Sequence, residues 1–259
     1  MSENTKNLIL LSHGRCGTNL LCRILSSYAH EISNNNEISK DFPEKNNRYF
    51  LDHNLRWKLH QHYPYPEKFS DFIELARNIC DKRYMLFKVF PNHMNHKGWE
   101  LIYQPNSLFI ILSRNHLDSY LSLVQSELYE CHINEDTTNY KIKFSSQTFD
   151  MIFKKRQEDY IFLNKVLNQD LSLKNKTIKI NYKDLFIKNN QANTTKRLLD
   201  FLKINPNKKI KSLFPYARFK QNRNTNFNFV INKEEMIDYM HGDQERKKIL
   251  ENSIYYKKL

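Results

Sequence analysis

The sequence predicts an α/β fold, a central parallel sheet flanked by helices on both faces, on three observations. Leu8-Ile-Leu-Leu11 is a short unbroken apolar run, the pattern of a parallel strand buried on both faces. The stretch after it, Ser12-His-Gly-Arg-Cys-Gly-Thr-Asn-Leu-Leu21, holds two of the four glycines in 259 residues. A second apolar run, Leu108-Phe-Ile-Ile-Leu112, again leads into polar residues and then, over 118–127, into a helix.

Between Asn19 and Tyr28 the residues Leu20, Leu21, Ile24, Leu25 and Tyr28 fall at i, i+1, i+4, i+5 and i+8, which makes one apolar stripe on a helix. Strand, glycine loop and helix form a P-loop-like unit. Its glycines let the backbone turn tightly and approach a ligand, while the first-turn N–H groups of the helix point at it. Arg15, Thr18 and Asn19 add a cation and two side-chain donors, so the loop suits phosphate or sulfate oxygens. A plain strand-to-helix turn would also use Gly14 and Gly17. A nucleoside-triphosphate loop needs lysine after its last glycine, where this chain has Thr18, and the dinucleotide pattern of three glycines is missing.

Arg15-Cys-Gly-Thr-Asn-Leu-Leu21 resembles the Arg-Ser-Gly-Thr-Thr-Leu-Leu loop of sulfotransferases that use 3′-phosphoadenosine 5′-phosphosulfate (PAPS). In that family the loop wraps the 5′-phosphosulfate. The segment from Leu108 to Ser122 is similar to the family's second signature, a strand ending in Arg-Asn/Asp-x-x-Asp-x-x-x-Ser, whose arginine and serine hold the 3′-phosphate. The resemblance thus implies a PAPS site made of Arg15, Cys16, Gly17, Thr18 and Asn19 with Arg114 and Ser122. Arg114 has its own argument: it stands at the carboxyl end of a buried strand, where ligands collect in open α/β sheets, and its fork fits a phosphate. Ser122 lies roughly 12 Å of helix rise further on at 1.5 Å per residue, so its place beside Arg114 rests on the resemblance. Ile178-Lys-Ile-Asn-Tyr-Lys-Asp-Leu185, followed by Thr195-Lys-Arg-Leu-Leu-Asp-Phe-Leu202, looks like the family's late strand, Tyr-Glu-Asp-Leu turn and packing helix, with Lys183 for the usual acid. Asp184 there suits a backbone turn or an arginine. Lys220 and Arg223 lie in a basic, asparagine-rich loop where the family closes over the 3′-phosphate.

Sulfuryl transfer needs a base near the acceptor hydroxyl and a cation at the oxygen that leaves with phosphate. Arg15 and Lys88, the latter near the end of Tyr84-Met-Leu-Phe-Lys-Val-Phe90, are the cations. Many family members carry a histidine two residues past that lysine; this chain has Phe90, and His93 comes next. A subgroup resembling bacterial trehalose and lipid sulfotransferases places a glutamate after the first helix, which here is Glu37. The base is therefore assigned to Glu37, then His93, then Glu44.

Length and 40% apolar content fit one sulfotransferase-like domain over 1–259. The polar N-terminus without a secretory core, and the absence of an eighteen-residue apolar run, suggest a cytoplasmic protein. Cys16, Cys22, Cys80 and Cys131 show no zinc spacing, and neither His93-x-x-His96 nor His60-x-His62 has a matching carboxylate, so no metal is expected. A formal charge of +13 would steer an anionic donor, although a bias toward Lys and Asn accounts for most of it. Charge and aromatic content also suggest a nucleic-acid binder; against it, no recognition motif stands out, and Phe87, Phe90 and Phe109 sit in apolar runs where they read as core. A P-loop kinase would want an acidic magnesium ligand where Arg114 stands. The polar segments 33–65 and 128–149 suit an acceptor site for a small molecule, sugar or lipid hydroxyl. Residues 233–259 read as a charged helix, fit for a lid or a homo-oligomer contact.

Overall fold

The computed structural model describes residues 6–28, 32–33, 83–90, 106–130, 137–169, 171–186, 188–205 and 226–256. Five strands form one parallel sheet: β1 (Lys6–Ser12), β2 (Ile32–Ser33), β3 (Tyr84–Val89), β4 (Ser107–Ser113) and β5 (Thr177–Asn181), in the order β2-β3-β1-β4-β5. β1 is central and both its neighbours are in register, Leu10 lying opposite Lys88 on one side and Ile110 on the other. Leu8 to Leu11 are all buried, as an unbroken apolar run requires of a strand covered on both faces.

Side chains alternate across the sheet. Leu8, Leu10, Leu86, Ile110, Leu112 and Ile180 point into one core with Leu21, Ile24 and Leu25 of α1 (Thr18–Tyr28), Leu185 of α2 (Tyr182–Phe186) and Leu198, Leu199 and Leu202 of and after α3 (Lys188–Phe201). The buried hydroxyl of Tyr84 donates to the Leu202 carbonyl, tying the sheet to this layer. The opposite face is crossed by α4 (Ser146–Gln169), whose Leu163 and Leu167 are buried and whose Tyr160 hydroxyl donates to the Leu112 carbonyl at 3.2 Å. A four-residue turn of helix, α5 (Leu171–Lys174), leads from α4 back to β5.

A second core lies beyond α6 (His116–Leu128). Leu117, Tyr120 and Leu121 of α6 meet Ile142, Phe144, Phe149, Phe227, Phe229, Met236, Met240, Leu250 and Tyr255. Within 137–149, Ile142, Phe144 and Phe149 are buried in this core while Asn139, Lys141, Lys143, Ser145 and Gln147 are exposed, and Ile142 pairs in parallel with Val230. One expectation changes here. Residues 233–256 form two helices, α7 (Lys233–His241) and α8 (Gln244–Glu251), instead of one. The break is at Gly242–Asp243, where the Asp243 carboxylate accepts from the N–H groups of Glu245 and Arg246 at 2.6 and 3.1 Å and caps α8. Among the described residues no helix is long and apolar enough to cross a membrane.

Parallel pairing brings the carboxyl ends of β1, β3, β4 and β5 to one edge. The chain places β3 on one side of β1 and β4 on the other, so the crevice at the ends of β1 and β4 is the switch point where such sheets bind ligands.

Candidate functional site

The β1–α1 turn runs from His13 to Gly17. Its sharp bends are at Arg15, φ 65, and Gly17, φ 88, both in the left-handed region. Gly14 has no such φ, so the turning assigned to both glycines falls on Arg15 and Gly17. For arginine that conformation costs roughly 1–2 kcal/mol. Gly17 is required twice over: a Cβ there would stand 2.3 Å from Cδ2 of Tyr182. Gly17 also occupies the N-cap position of α1, its carbonyl accepting from Leu21 N–H at 3.1 Å, and it has no side chain to cap the first-turn amides. Thr18 is buried and Asn19 half-buried at that helix start. Cys16 is a buried free thiol, 3.7 Å from the Ser119 hydroxyl of α6.

The β4–α6 turn is shorter and closed. Asn115 Oδ1 accepts from Asp118 N–H at 3.1 Å and caps α6, while its Nδ2 donates to the Ile249 carbonyl at 2.6 Å. This anchors Arg114, just before it. The Arg114 Nη1 donates to the Arg15 carbonyl at 2.7 Å, and the guanidinium lies over the Tyr182 ring at 4.5 Å. Its Nε is buried with no hydrogen-bond partner. Burial works against its charge, but Tyr182, Tyr255 and Asp118 more than offset this and raise its pKa above the ordinary value. Asp118 is itself buried, accepting from the Ser253 hydroxyl and, at 3.1 Å, from Ile254 N–H. A cavity of about 240 Å³ opens beside Arg114 and is also lined by Asn115, Asn181, Tyr182, Lys183 and Asn252.

Ser122 lies six residues into α6, roughly 9 Å along its axis at 1.5 Å per residue. The α6 helix brings it to the first loop, where its hydroxyl accepts from Arg15 Nε at 3.2 Å. Arg15 thus stands between Ser122, bound by its side chain, and Arg114, bound by its carbonyl. Lys88 is half-buried on β3, with Nζ 4.7 Å from the centre of the Phe90 ring. Glu37, Glu44, His93, Lys220 and Arg223 lie outside the described residues.

Three participants were not singled out by sequence. Tyr182 sits between Gly17 and Arg114, although its Tyr-Lys-Asp-Leu segment suggested only a structural turn. That turn is made by Asn181, whose Oδ1 accepts from Lys183 N–H at 2.9 Å; Asp184 instead accepts from Asn190 of α3 at 3.4 Å. Tyr255 is a buried residue of the C-terminal segment whose hydroxyl pKa is raised, chiefly by burial. Arg156 of α4 is buried beneath the glycine loop, beside His13. Burial, and then the charge of Arg156, lowers the His13 pKa to about 3, so the imidazole is neutral. At 3.8 Å its Nε2 is too far from the Asp159 carboxylate for a hydrogen bond, and it has no partner.

These loops present backbone amides and two guanidiniums at one sheet edge, with a buried donor left over. Such a set can hold a multiply charged oxyanion. Solved structures resemble the chain, among them these two. One is a sulfotransferase from Alicyclobacillus acidocaldarius, at 14% identity and TM-score 0.45, covering 82% of this chain and 88% of that one. The other is mouse sulfotransferase SULT7A1 complexed with PAP, at 14% identity and TM-score 0.49, covering 96% and 89%. Both are sulfotransferases. No protein-family model matches the chain, and no curated protein matches it.

Proposed function

We propose that this chain is a single-domain, PAPS-dependent sulfotransferase that moves a sulfuryl group to a hydroxyl of a small molecule, glycan or glycolipid. One observation carries the reading: the two loops that resemble the family's signatures meet at Arg15, through the 2.7 Å bond from Arg114 and the 3.2 Å bond to Ser122. The fit to a donor bearing anions at both ends is supported by the buried, unpartnered Arg114 Nε beside the cavity. An orphaned buried donor costs about 1–3 kcal/mol, and a phosphate oxygen would complete it.

In this reading Arg15, Cys16, Gly17, Thr18 and Asn19 hold the 5′-phosphosulfate, Arg114 and Ser122 hold the 3′-phosphate, and Lys220 and Arg223 close over it. When bound, the donor supplies an activated sulfuryl group with phosphate as its leaving group. Arg15 and Lys88 place positive charge where that departing oxygen gains negative charge. Glu37 takes the acceptor's hydroxyl proton, with His93 the second candidate for that role. A cytoplasmic site of action is part of the proposal, in keeping with the buried free thiol of Cys16.

The test is consumption of PAPS over a panel of phenols, sugars and glycolipids, with sulfated product identified by mass. Glu37→Gln should slow turnover by about 10²–10⁴ while binding the spent donor, 3′-phosphoadenosine 5′-phosphate, as the wild type does. Binding of magnesium ATP, with PAPS ignored, would replace this reading by a P-loop nucleotide enzyme.

A further inference from the structure

The underside of the glycine loop is built by one face of α4. Arg156, Asp159 and Tyr160 lie at i, i+3 and i+4 and so point the same way. Tyr160 donates to the Leu112 carbonyl at 3.2 Å, and Asp159 lies 3.8 Å from His13. Arg156 makes the closest link: Nη1 donates to the Ser119 hydroxyl at 2.5 Å and Nη2 to the Gly14 carbonyl at 3.4 Å. Ser119 in turn contacts the Gly14 carbonyl at 3.5 Å and Cys16 Sγ at 3.7 Å.

Arg156 and Arg114 therefore hold consecutive carbonyls of the loop, those of Gly14 and Arg15. In a trans peptide the N–H of the next residue points opposite to the carbonyl. Fixing these two carbonyls fixes the directions of the Arg15 and Cys16 amides. We propose that Arg156 is a positioning residue of the anion site, setting the glycine loop for a phosphate- or sulfate-bearing ligand through the Gly14 carbonyl and Ser119.

The charge balance agrees. The hydrogen-bond partners of Arg156 are a hydroxyl and a carbonyl, both neutral, and its side chain is buried. Burial, first, and the nearby Arg114 lower its pKa, against the opposing influence of Cys16, Tyr160 and Asp159. A guanidinium kept in a buried place without a bonded carboxylate is poorly explained by stability, since an apolar side chain of similar volume often serves as well. It is explained by an anion that arrives later.

The proposal rests on the loop being an anion cradle, and its test separates the two. Calorimetry with 3′-phosphoadenosine 5′-phosphate and with inorganic pyrophosphate would be run on wild type, Arg156→Met, Arg156→Lys and Ser119→Ala, with melting measured without ligand. Arg156→Met should weaken both ligands about 10- to 100-fold while its ligand-free melting point stays near or above that of wild type. Arg156→Lys keeps the charge but loses the two-point fork, and should fall between. Should Arg156→Met fail to fold, Arg156→Lys and Ser119→Ala decide: each must weaken binding severalfold with ligand-free melting unchanged. Unaltered affinity in a folded variant, or affinity lost only in step with ligand-free stability, overturns the proposal. Pyrophosphate binding without nucleotide binding sinks the sulfotransferase reading alone, and the Arg156 comparison is then read on pyrophosphate; wild type that binds neither sinks both.

Discussion

The two turns at the carboxyl edge of the sheet start from adjacent strands in register, yet they are built on opposite plans. The β1–α1 turn has two left-handed residues, Arg15 and Gly17, and the N-cap position of its helix is a glycine, which carries no capping side chain. The β4–α6 turn is capped by Asn115 and locked to α8 through the Ile249 carbonyl. Backbone groups for a ligand come from the first; a rigidly placed guanidinium comes from the second. The difference is one of means: left-handed backbone shapes the first turn, whereas capping and anchoring hydrogen bonds fix the second and leave Arg114 Nε as its buried donor without a partner.

The strongest way to break the contrast is Gly17→Ala. A left-handed alanine whose Cβ meets the Tyr182 ring should cost about 2–4 kcal/mol in denaturant unfolding, whereas Gly14→Ala, with nothing within 4 Å of its Cβ, should change stability by under about 1 kcal/mol. Equal costs would show that the two glycines are alike. Acid acts next. His13 and His116 have pKa values lowered to about 3 and about 4, in both cases chiefly by burial and also by Arg156. Each is neutral when folded and protonates near 6.5 when unfolded, so its contribution is full above pH 6.5 and drains away as pH falls toward those values. Stability should drop by up to about 1.4 kcal/mol per pH unit for each histidine between pH 6 and 4, and His13→Gln should flatten that slope. The smallest effect belongs to the closed turn: Asn115→Ala removes the cap and the bond to the Ile249 carbonyl and should cost about 1–2 kcal/mol in denaturant unfolding.

Much of this edge was legible in sequence because it is local. The apolar run Leu8–Leu11, the stripe from Leu20 to Leu25 and the strand ending at Arg114 each carry their own periodicity, and the structure places them as β1, α1 and β4. Contacts between distant segments leave no such trace. Arg156 follows two lysines, Lys154 and Lys155, and nothing in that run sets it apart from them; its burial depends on α4 crossing the sheet. Tyr182 is an ordinary strand-end tyrosine until β5 pairs with β4 and sets it under Arg114. The split of 233–256 into α7 and α8 did have a signal, Gly242-Asp243, a break followed by a capping residue.

Whether the two turns act on one ligand is tested most directly by titrating 3′-phosphoadenosine 5′-phosphate into wild type and Arg114→Ala in a calorimeter. Joint use of the turns requires binding on the order of micromolar in wild type and a loss of about 2 kcal/mol or more, near 30-fold, in the variant. Folded wild type that takes up no nucleotide, or a variant that binds it equally well, would contradict the reading.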